Sequence, residues 1–185
     1  MRAIDPKDAN SVAEFQAWVR EHRFVIAVDP GLQGTGIAVF HRETLIDAVV
    51  LTTASKHKSR SWPARADELA DMLHGFCDQG KQTMRGERTI ILCEMPEFQA
   101  GSARSMGWKT GDLQRLAYLV GLFAGRCREH HFAPVSVSLW KGQLPKTVVQ
   151  ERVTARIGAA TIKQVGVETH AWDACGIGLW GLGRF

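Results

Sequence analysis

Cysteine is scarce in this sequence, and no long hydrophobic run interrupts it. The four cysteines, Cys77, Cys93, Cys127 and Cys175, are widely spaced and form no C-x-x-C pair, which argues against a disulfide scaffold or a zinc site. Each lies in an apolar neighbourhood, as expected for a buried thiol in a reducing compartment. No apolar run approaches the ~20 residues that span a bilayer, and the N-terminal stretch has no apolar signal core. These absences predict a cytoplasmic protein.

Composition sets the size and class of the molecule. The 185 residues, 45% hydrophobic and 23% charged, predict one globular domain and exclude two large lobes that clasp a nucleotide. Lysine and arginine number 23 against 19 acidic residues, a formal net charge of +4. This excess permits a polyanionic partner, but it is also within the range that keeps a small protein soluble.

Apolar runs and periodicity predict a mixed α/β domain. Strands are expected at 24–29, 36–40, 44–51, 89–94 and 134–139. Helices are expected at 10–21, from 63, at 112–129, from 145 and at 168–182. The first three strands are joined by short turns and therefore form an antiparallel meander, after which helices and strands alternate. Residues 1–23 are interpreted as a leader helix and 24–185 as the main domain.

Three acidic residues stand in apolar surroundings. Asp29 and Glu94 end the strand segments FVIAVD and TIILCE, and Asp173 lies within HAWDACGIGLW. A carboxylate there loses hydration, which hydrogen bonds, a cationic partner or a metal ion must compensate. Singly, each has a structural explanation: a turn cap for Asp29, an ion pair for Glu94, a backbone contact for Asp173. Together, acids on two strand ends and one helix can converge, and like charges held close need a cation between them.

Such a convergence would suit nuclease chemistry. Hard oxygen ligands favour Mg²⁺ or Mn²⁺, and two such ions about 4 Å apart can activate a water and stabilise the leaving oxygen of a phosphodiester. His170 lies three residues before Asp173 on the same predicted helix, so the two side chains face the same way. His170 either ligates a metal or handles a proton, or it is a histidine satisfied near a helix start.

The segment 29–36, DPGLQGTG, resembles the D-P-G-x-x-x-T-G signature of RuvC-type Holliday junction resolvases. The likeness continues in chain order: the strand ending in Glu94 resembles the second acidic strand of the family, 102–125 its lead into a long helix, and 170–174 its closing acidic helix. Actin-like ATPases and sugar kinases share a D-x-G motif, but their second large lobe does not fit this length.

The resemblance implies a ribonuclease H-like fold with a mixed five-stranded sheet, a homodimer, and Mg²⁺-dependent symmetric cutting of a four-way DNA junction. Mn²⁺ is an alternative metal, with two ions expected per site. Under the resemblance, Asp29, Glu94, His170 and Asp173 are catalytic and bind the metal. The leader and the segment 140–146 depart from the family pattern. So compact a chain is typical of a phage or prophage member, which places it in a bacterial or phage-infected cell.

Branched DNA would also need phosphate neutralisation and base stacking. The candidates are Lys56, Lys58, Arg60, Phe98, Arg104, Lys109, Lys141 and Lys146. Lys141 and Lys146 stand out because they follow a strand expected to be central. Each charged residue has a solvated surface position as its alternative, and Phe98 either stacks on an unpaired base or covers the core.

Two other functions remain open at this point. One is a related ribonuclease H-like nuclease acting on RNA, flaps or forks. The other is a non-catalytic junction-binding protein, in which the acids serve folding alone. Such a protein would gain from neutral residues at buried acidic positions, so the presence of all three acids disfavours it.

Overall fold

A computed structural model describes residues 9–53, 61–83, 88–97 and 111–185. Its strands are β1 (Phe24–Asp29), β2 (Thr35–His41), β3 (Thr44–Leu51), β4 (Thr89–Met95) and β5 (His131–Ser136). Its helices are α1 (Ala9–Arg20), α2 (Trp62–Thr83), α3 (Asp112–Arg126), α4 (Val137–Trp140), α5 (Lys146–Ile157), α6 (Ala159–Val165) and α7 (Thr169–Gly181). Within these ranges, no helix combines the length and the apolar character that a membrane crossing requires.

The strands form one sheet in the order β3-β2-β1-β4-β5. Strands β1, β2 and β3 pair antiparallel, whereas β4 pairs parallel with both β1 and β5. This confirms the predicted mixed five-stranded sheet. All six residues of β1 are buried, as expected for a central strand covered on both faces.

Side chains alternate between two apolar layers, one on each face of the sheet. On one face, Val25 and Ala27 of β1 pack in a core that includes α7. On the other face, Ile26 and Val28 pack with residues of α2 and α3. The four cysteines are free and buried, as the sequence predicted. The period of two along each strand therefore decides which helix each side chain meets.

Helix α1 lies against α7 and the start of β5. The rings of Phe15 and Trp180 have centroids 5.7 Å apart, and Gln16 Nε2 donates to the carbonyl of Trp180 over 2.8 Å. Just beyond α1, the buried His22 places Nε2 only 2.7 Å from Nδ1 of His131. The helix predicted at 10–21 is present and forms part of the core on the α7 face.

The last strand lies three residues earlier in the chain than predicted. The alternation in PVSVSL suggested a strand at 134–139, but β5 ends at Ser136 and the chain then forms the short helix α4. Strand β4 ends at Met95, which pairs with Ser136, so a longer β5 would have no partner for its backbone groups. Pairing, which is not local, therefore overrode the pattern.

The expectation that Lys141 and Lys146 follow a central strand was also wrong. Strand β5 lies at an edge of the described sheet, whereas β2, β1 and β4 each have a strand on both sides. Pro134, exposed within β5, fits an edge strand because it has no N–H to donate.

Helix α6 was not predicted from the sequence. Gly158, with a φ of 91°, separates it from α5.

Candidate active site

Asp29 and Glu94 lie at the same end and on the same face of the sheet. Strands β1 and β4 are parallel neighbours whose last paired residues are Val28 and Cys93, so the two acids each follow one residue later. Both belong to the alternating series that faces α7, with Ala27 before Asp29 in that series. The acids therefore leave the core together, next to one another.

Helix α7 brings the third acid, Asp173, over this edge. The helix crosses β2 so closely that a Cβ built on Gly36 would lie 2.2 Å from the carbonyl oxygen of His170. Only glycine tolerates this approach, which explains in physical terms why the last residue of the segment DPGLQGTG, Gly36, is a glycine. The close crossing places the first turns of α7 beside the end of β1.

Lys141, which follows α4, lies between two of the carboxylates. Its Nζ is 3.2 Å from Oδ2 of Asp173 and 3.7 Å from Oε2 of Glu94. The side chains of all three residues are at most 20% exposed, so these interactions are only partly screened by water. One ammonium group thus partly compensates two acids that are close together.

Trp140 makes a direct contact that sequence reasoning missed. Its Nε1–H donates to Oε2 of Glu94 over 2.9 Å, and its side chain is buried. The signal that could have identified it is the Trp-Lys pair directly after the last predicted strand, in the stretch that departs from the family pattern. An indole buried near a carboxylate satisfies its N–H there.

His170 joins the site through Asp29. Its Nδ1 is 3.3 Å from Oδ2 of Asp29, and nearly half of the imidazole is exposed. The structure therefore brings the four predicted site residues, Asp29, Glu94, His170 and Asp173, together where β1 and β4 end, with His170 on the solvent-facing side. We call this group of residues the acidic edge. Their assignment as catalytic residues stays a prediction.

The electrostatics of this edge disfavour negative charge. Burial, and then repulsion by Glu94 and Asp173, raises the pKa of Asp29 to about 8, against weaker opposition from Lys141 and Lys146. Burial also raises the pKa of Glu94, although Lys141 and the Trp140 N–H act in the opposite direction. A bound cation would relieve both effects, and carboxylate oxygens are the ligands that Mg²⁺ and Mn²⁺ prefer. The donor set therefore fits a divalent ion.

A different group has ligand atoms drawn close together. In the described part of the chain, His74, Asp78 and Glu129 have one potential ligand atom each within 4.8 Å of one another. The two ring nitrogens of His74 each contact a carboxylate oxygen at 3.4 Å, one on α2 and one after α3. His74 and Asp78 lie on α2 and Glu129 follows α3, the two helices on the opposite face of the sheet from α7. They tie two helices together and are not the predicted metal ligands.

Six of the predicted DNA-binding residues lie outside the described residues: Lys56, Lys58, Arg60, Phe98, Arg104 and Lys109. Of the remaining two, Lys141 lies among the carboxylates. Lys146 begins α5, is exposed, and its charge acts on Asp29. The structure thus places two of the eight predicted cations and aromatics at the acidic edge.

The fold is similar to that of known junction resolvases. The structure of Thermus thermophilus RuvC in complex with a Holliday junction substrate matches with a TM-score of 0.62 and 17% identity, over 86% of this chain and 92% of that one. The yeast mitochondrial Holliday junction resolvase Ydc2 matches with a TM-score of 0.57 and 12% identity, over 95% and 86%. No family model and no curated protein sequence matches the chain.

These likenesses extend over 86% and 95% of the chain. They agree with the resemblance noted at 29–36, which rests on different information, a short sequence motif. The chain therefore has the fold of the RuvC-type Holliday junction resolvases.

Proposed function

We propose that this chain is a structure-selective DNA endonuclease that resolves four-way junctions by divalent-metal-dependent hydrolysis. The observation that carries the proposal is the convergence of Asp29, Glu94 and Asp173 at one edge of the sheet, with Asp29 strongly disfavoured as an anion. A binding protein has no use for this arrangement, because neutral residues would be less costly to bury. The RuvC-type fold supports the same activity.

The reaction transfers a phosphoryl group to water. The oxygen of a water molecule forms a bond to phosphorus, a P–O bond to the neighbouring sugar breaks, and the departing oxygen takes up a proton. When bound, two divalent ions would supply Lewis acidity at the phosphate. Asp29, Glu94 and Asp173 would hold these ions through carboxylate oxygens.

The other residues of the site have roles that follow from their positions. His170, half-exposed and 3.3 Å from Asp29, can accept or donate a proton at Nδ1. Lys141 compensates Asp173 and Glu94 and orients their oxygens. Lys146, exposed at the start of α5, is placed to neutralise a DNA phosphate near the acids. Two equivalent incisions call for two such sites, so we propose a homodimer with two-fold symmetry.

Cleavage of defined DNA substrates tests the proposal. The purified protein would be incubated with an immobile four-way junction, a matched linear duplex and a flap, in Mg²⁺, Mn²⁺ or EDTA. We expect paired symmetric nicks in the junction alone, lost in EDTA and in Glu94→Gln. Asp47→Asn is the matched control, since Asp47 lies on β3 away from the acidic edge.

Other outcomes would contradict the proposal in distinct ways. Preferential cutting of the flap would favour a broader nuclease. Tight junction binding without cutting, unchanged in EDTA, would favour a non-catalytic binding protein. Light scattering on the free protein and on its junction complex would test the homodimer.

A further inference from the structure

Trp140 is the buried aromatic residue in direct contact with the acidic edge. It ends the short helix α4, and 3% of the residue is exposed. Its indole N–H donates to Oε2 of Glu94 over 2.9 Å. Lys141 Nζ approaches the same oxygen at 3.7 Å. Both contacts on Glu94 within the described residues therefore fall on one oxygen, which leaves Oε1 for a ligand.

The indole is held tightly on its other side. A Cβ built on Gly176 of α7 would lie 2.5 Å from the six-membered ring of Trp140, so the ring packs directly on the helix backbone. The Phe185 ring packs edge-on at 5.6 Å between centroids. Trp140 thus has little freedom to rotate, and its N–H is aimed at Glu94 by packing.

Helix α4 is itself fixed to the exit of β4. Glu97 accepts hydrogen bonds from the backbone N–H and the hydroxyl of Ser138, at 3.1 and 2.8 Å. Glu97 lies three residues after Glu94. The short helix is therefore bound to this segment at both ends, by Glu97 at its start and by Trp140 at its end.

The same indole also supports Lys141. The ammonium group lies 4.6 Å from the centre of the Trp140 ring, within the range of a cation–π interaction. Since Lys141 contacts Asp173 as well, the orientation of a second acid depends on this ring. Trp140 contacts Glu94 directly and acts on Asp173 through its neighbour.

We propose that Trp140 is a positioning residue for the metal site, and that its N–H holds Glu94 so that Oε1 alone is offered to a divalent ion. A carboxylate with one oxygen already bonded loses less freedom when it binds an ion. A residue that only filled the core would not need a hydrogen-bond donor, and phenylalanine would serve. The inference rests on the proposed function only in taking Glu94 as a metal ligand.

The test separates the N–H from the shape of the ring. Trp140→Phe removes the N–H and part of the ring, whereas 3-benzothienylalanine at position 140 keeps the bicyclic shape and replaces N–H by sulfur. The control is the same pair of changes at Trp180, a buried tryptophan on α7 that contacts α1. Mn²⁺ affinity of the folded, DNA-free protein would be measured by calorimetry, and folding by thermal unfolding in EDTA.

We expect Mn²⁺ affinity to fall about 10-fold with either change at position 140 and to be unaffected at position 180. The benzothienyl variant should unfold near the temperature of the unmodified protein, because it keeps the ring that fills the core. If Trp140 only filled the core, this variant would keep its Mn²⁺ affinity as well. Affinity within about twofold of the unmodified protein in the benzothienyl variant would overturn the inference. So would a lack of Mn²⁺ binding by the unmodified protein. Mn²⁺ binding that depends on Trp140 without junction cutting would refute the proposed function and leave this inference standing.

Discussion

Replacing Asp29 with asparagine is expected to make the metal-free protein more stable at alkaline pH, although it removes a predicted catalytic group. The pKa of Asp29 is raised from its ordinary value of 3.8 to about 8 by burial and by the two neighbouring acids. Between these pH values the folded protein keeps the proton of Asp29 and the unfolded chain does not. Folding stability therefore falls as the pH rises through this interval, and the cost is fully present above about pH 8.

The magnitude follows from the width of the interval. Each pH unit costs the folded state about 1.4 kcal/mol, so the full rise in pKa sets an upper limit of about 6 kcal/mol. The pKa of about 8 already includes the opposing charges of Lys141 and Lys146, and water at the open end of the site screens part of the remaining cost. We therefore expect Asp29→Asn to stabilise the protein by about 3 kcal/mol at pH 8 and by less than about 1 kcal/mol at pH 5.

Urea unfolding followed by circular dichroism in EDTA would measure both values. Asp47→Asn is the control and should show the same difference from the unmodified protein at both pH values. A stabilisation by Asp29→Asn that is equal at the two pH values would refute the reasoning, because it would not come from ionisation. Saturating Mn²⁺ should reduce the advantage of the variant, since a bound cation favours the ionised form of Asp29.

Three further outcomes are expected. Burial and then His131 lower the pKa of His22 below its ordinary 6.5. The contribution of neutral His22 to folding stability is therefore complete above pH 6.5 and is lost as the pH falls below it. Thermal unfolding of His22→Gln should depend less on pH below 6.5 than that of the unmodified protein. Gly36→Ala places a Cβ 2.2 Å from a backbone oxygen of α7. It should lower the free energy of unfolding in urea by more than about 2 kcal/mol and abolish cleavage. Gly121→Ala is the control: its Cβ meets nothing within 4 Å, so it should be neutral or stabilising. Lys141→Met should destabilise the metal-free protein by about 1–2 kcal/mol, because it removes the cation beside Asp173. Added Mn²⁺ should raise the unfolding temperature of this variant in a thermal shift assay and so offset the loss of stability.

Each of these outcomes can fail in a recognisable way. An unchanged pH dependence in His22→Gln would mean that other histidines account for acid sensitivity. Normal cleavage by Gly36→Ala would show that α7 can shift without disturbing the acids. If Lys141→Met were as stable as the unmodified protein in EDTA, the acids would not need a compensating cation.

Much of the fold was predictable because its signals are local. Five apolar runs became five strands, and the short turns between the first three made an antiparallel meander necessary. The acids at the ends of two runs were visible as exceptions to apolar patterning, and Asp173 as an exception within an apolar helix. The segment 29–36 carried the resemblance to the RuvC-type signature, and its last glycine, Gly36, lies where α7 approaches the backbone of β2.

Other features depended on contacts between distant segments. The end of β5 was set by the end of its partner β4, so the alternation in 134–139 was misleading. The bond from Trp140 to Glu94 spans 46 positions of the chain and depends on the packing of the ring on α7. No local pattern specifies such a contact, because side-chain direction at that distance follows from how the helices pack on the sheet.

By itself, then, the sequence determined which residues are acidic, which segments are apolar, and that Asp29 and Glu94 each close an apolar run. Tertiary structure alone decided that Asp29 and Glu94 face the same side, because this depends on the parallel register of β1 and β4. It also placed an ammonium group between two of the acids and an indole N–H on one of them. Local propensity acts over a few residues, whereas the free energy of a buried charge depends on every group packed around it, wherever that group lies in the chain.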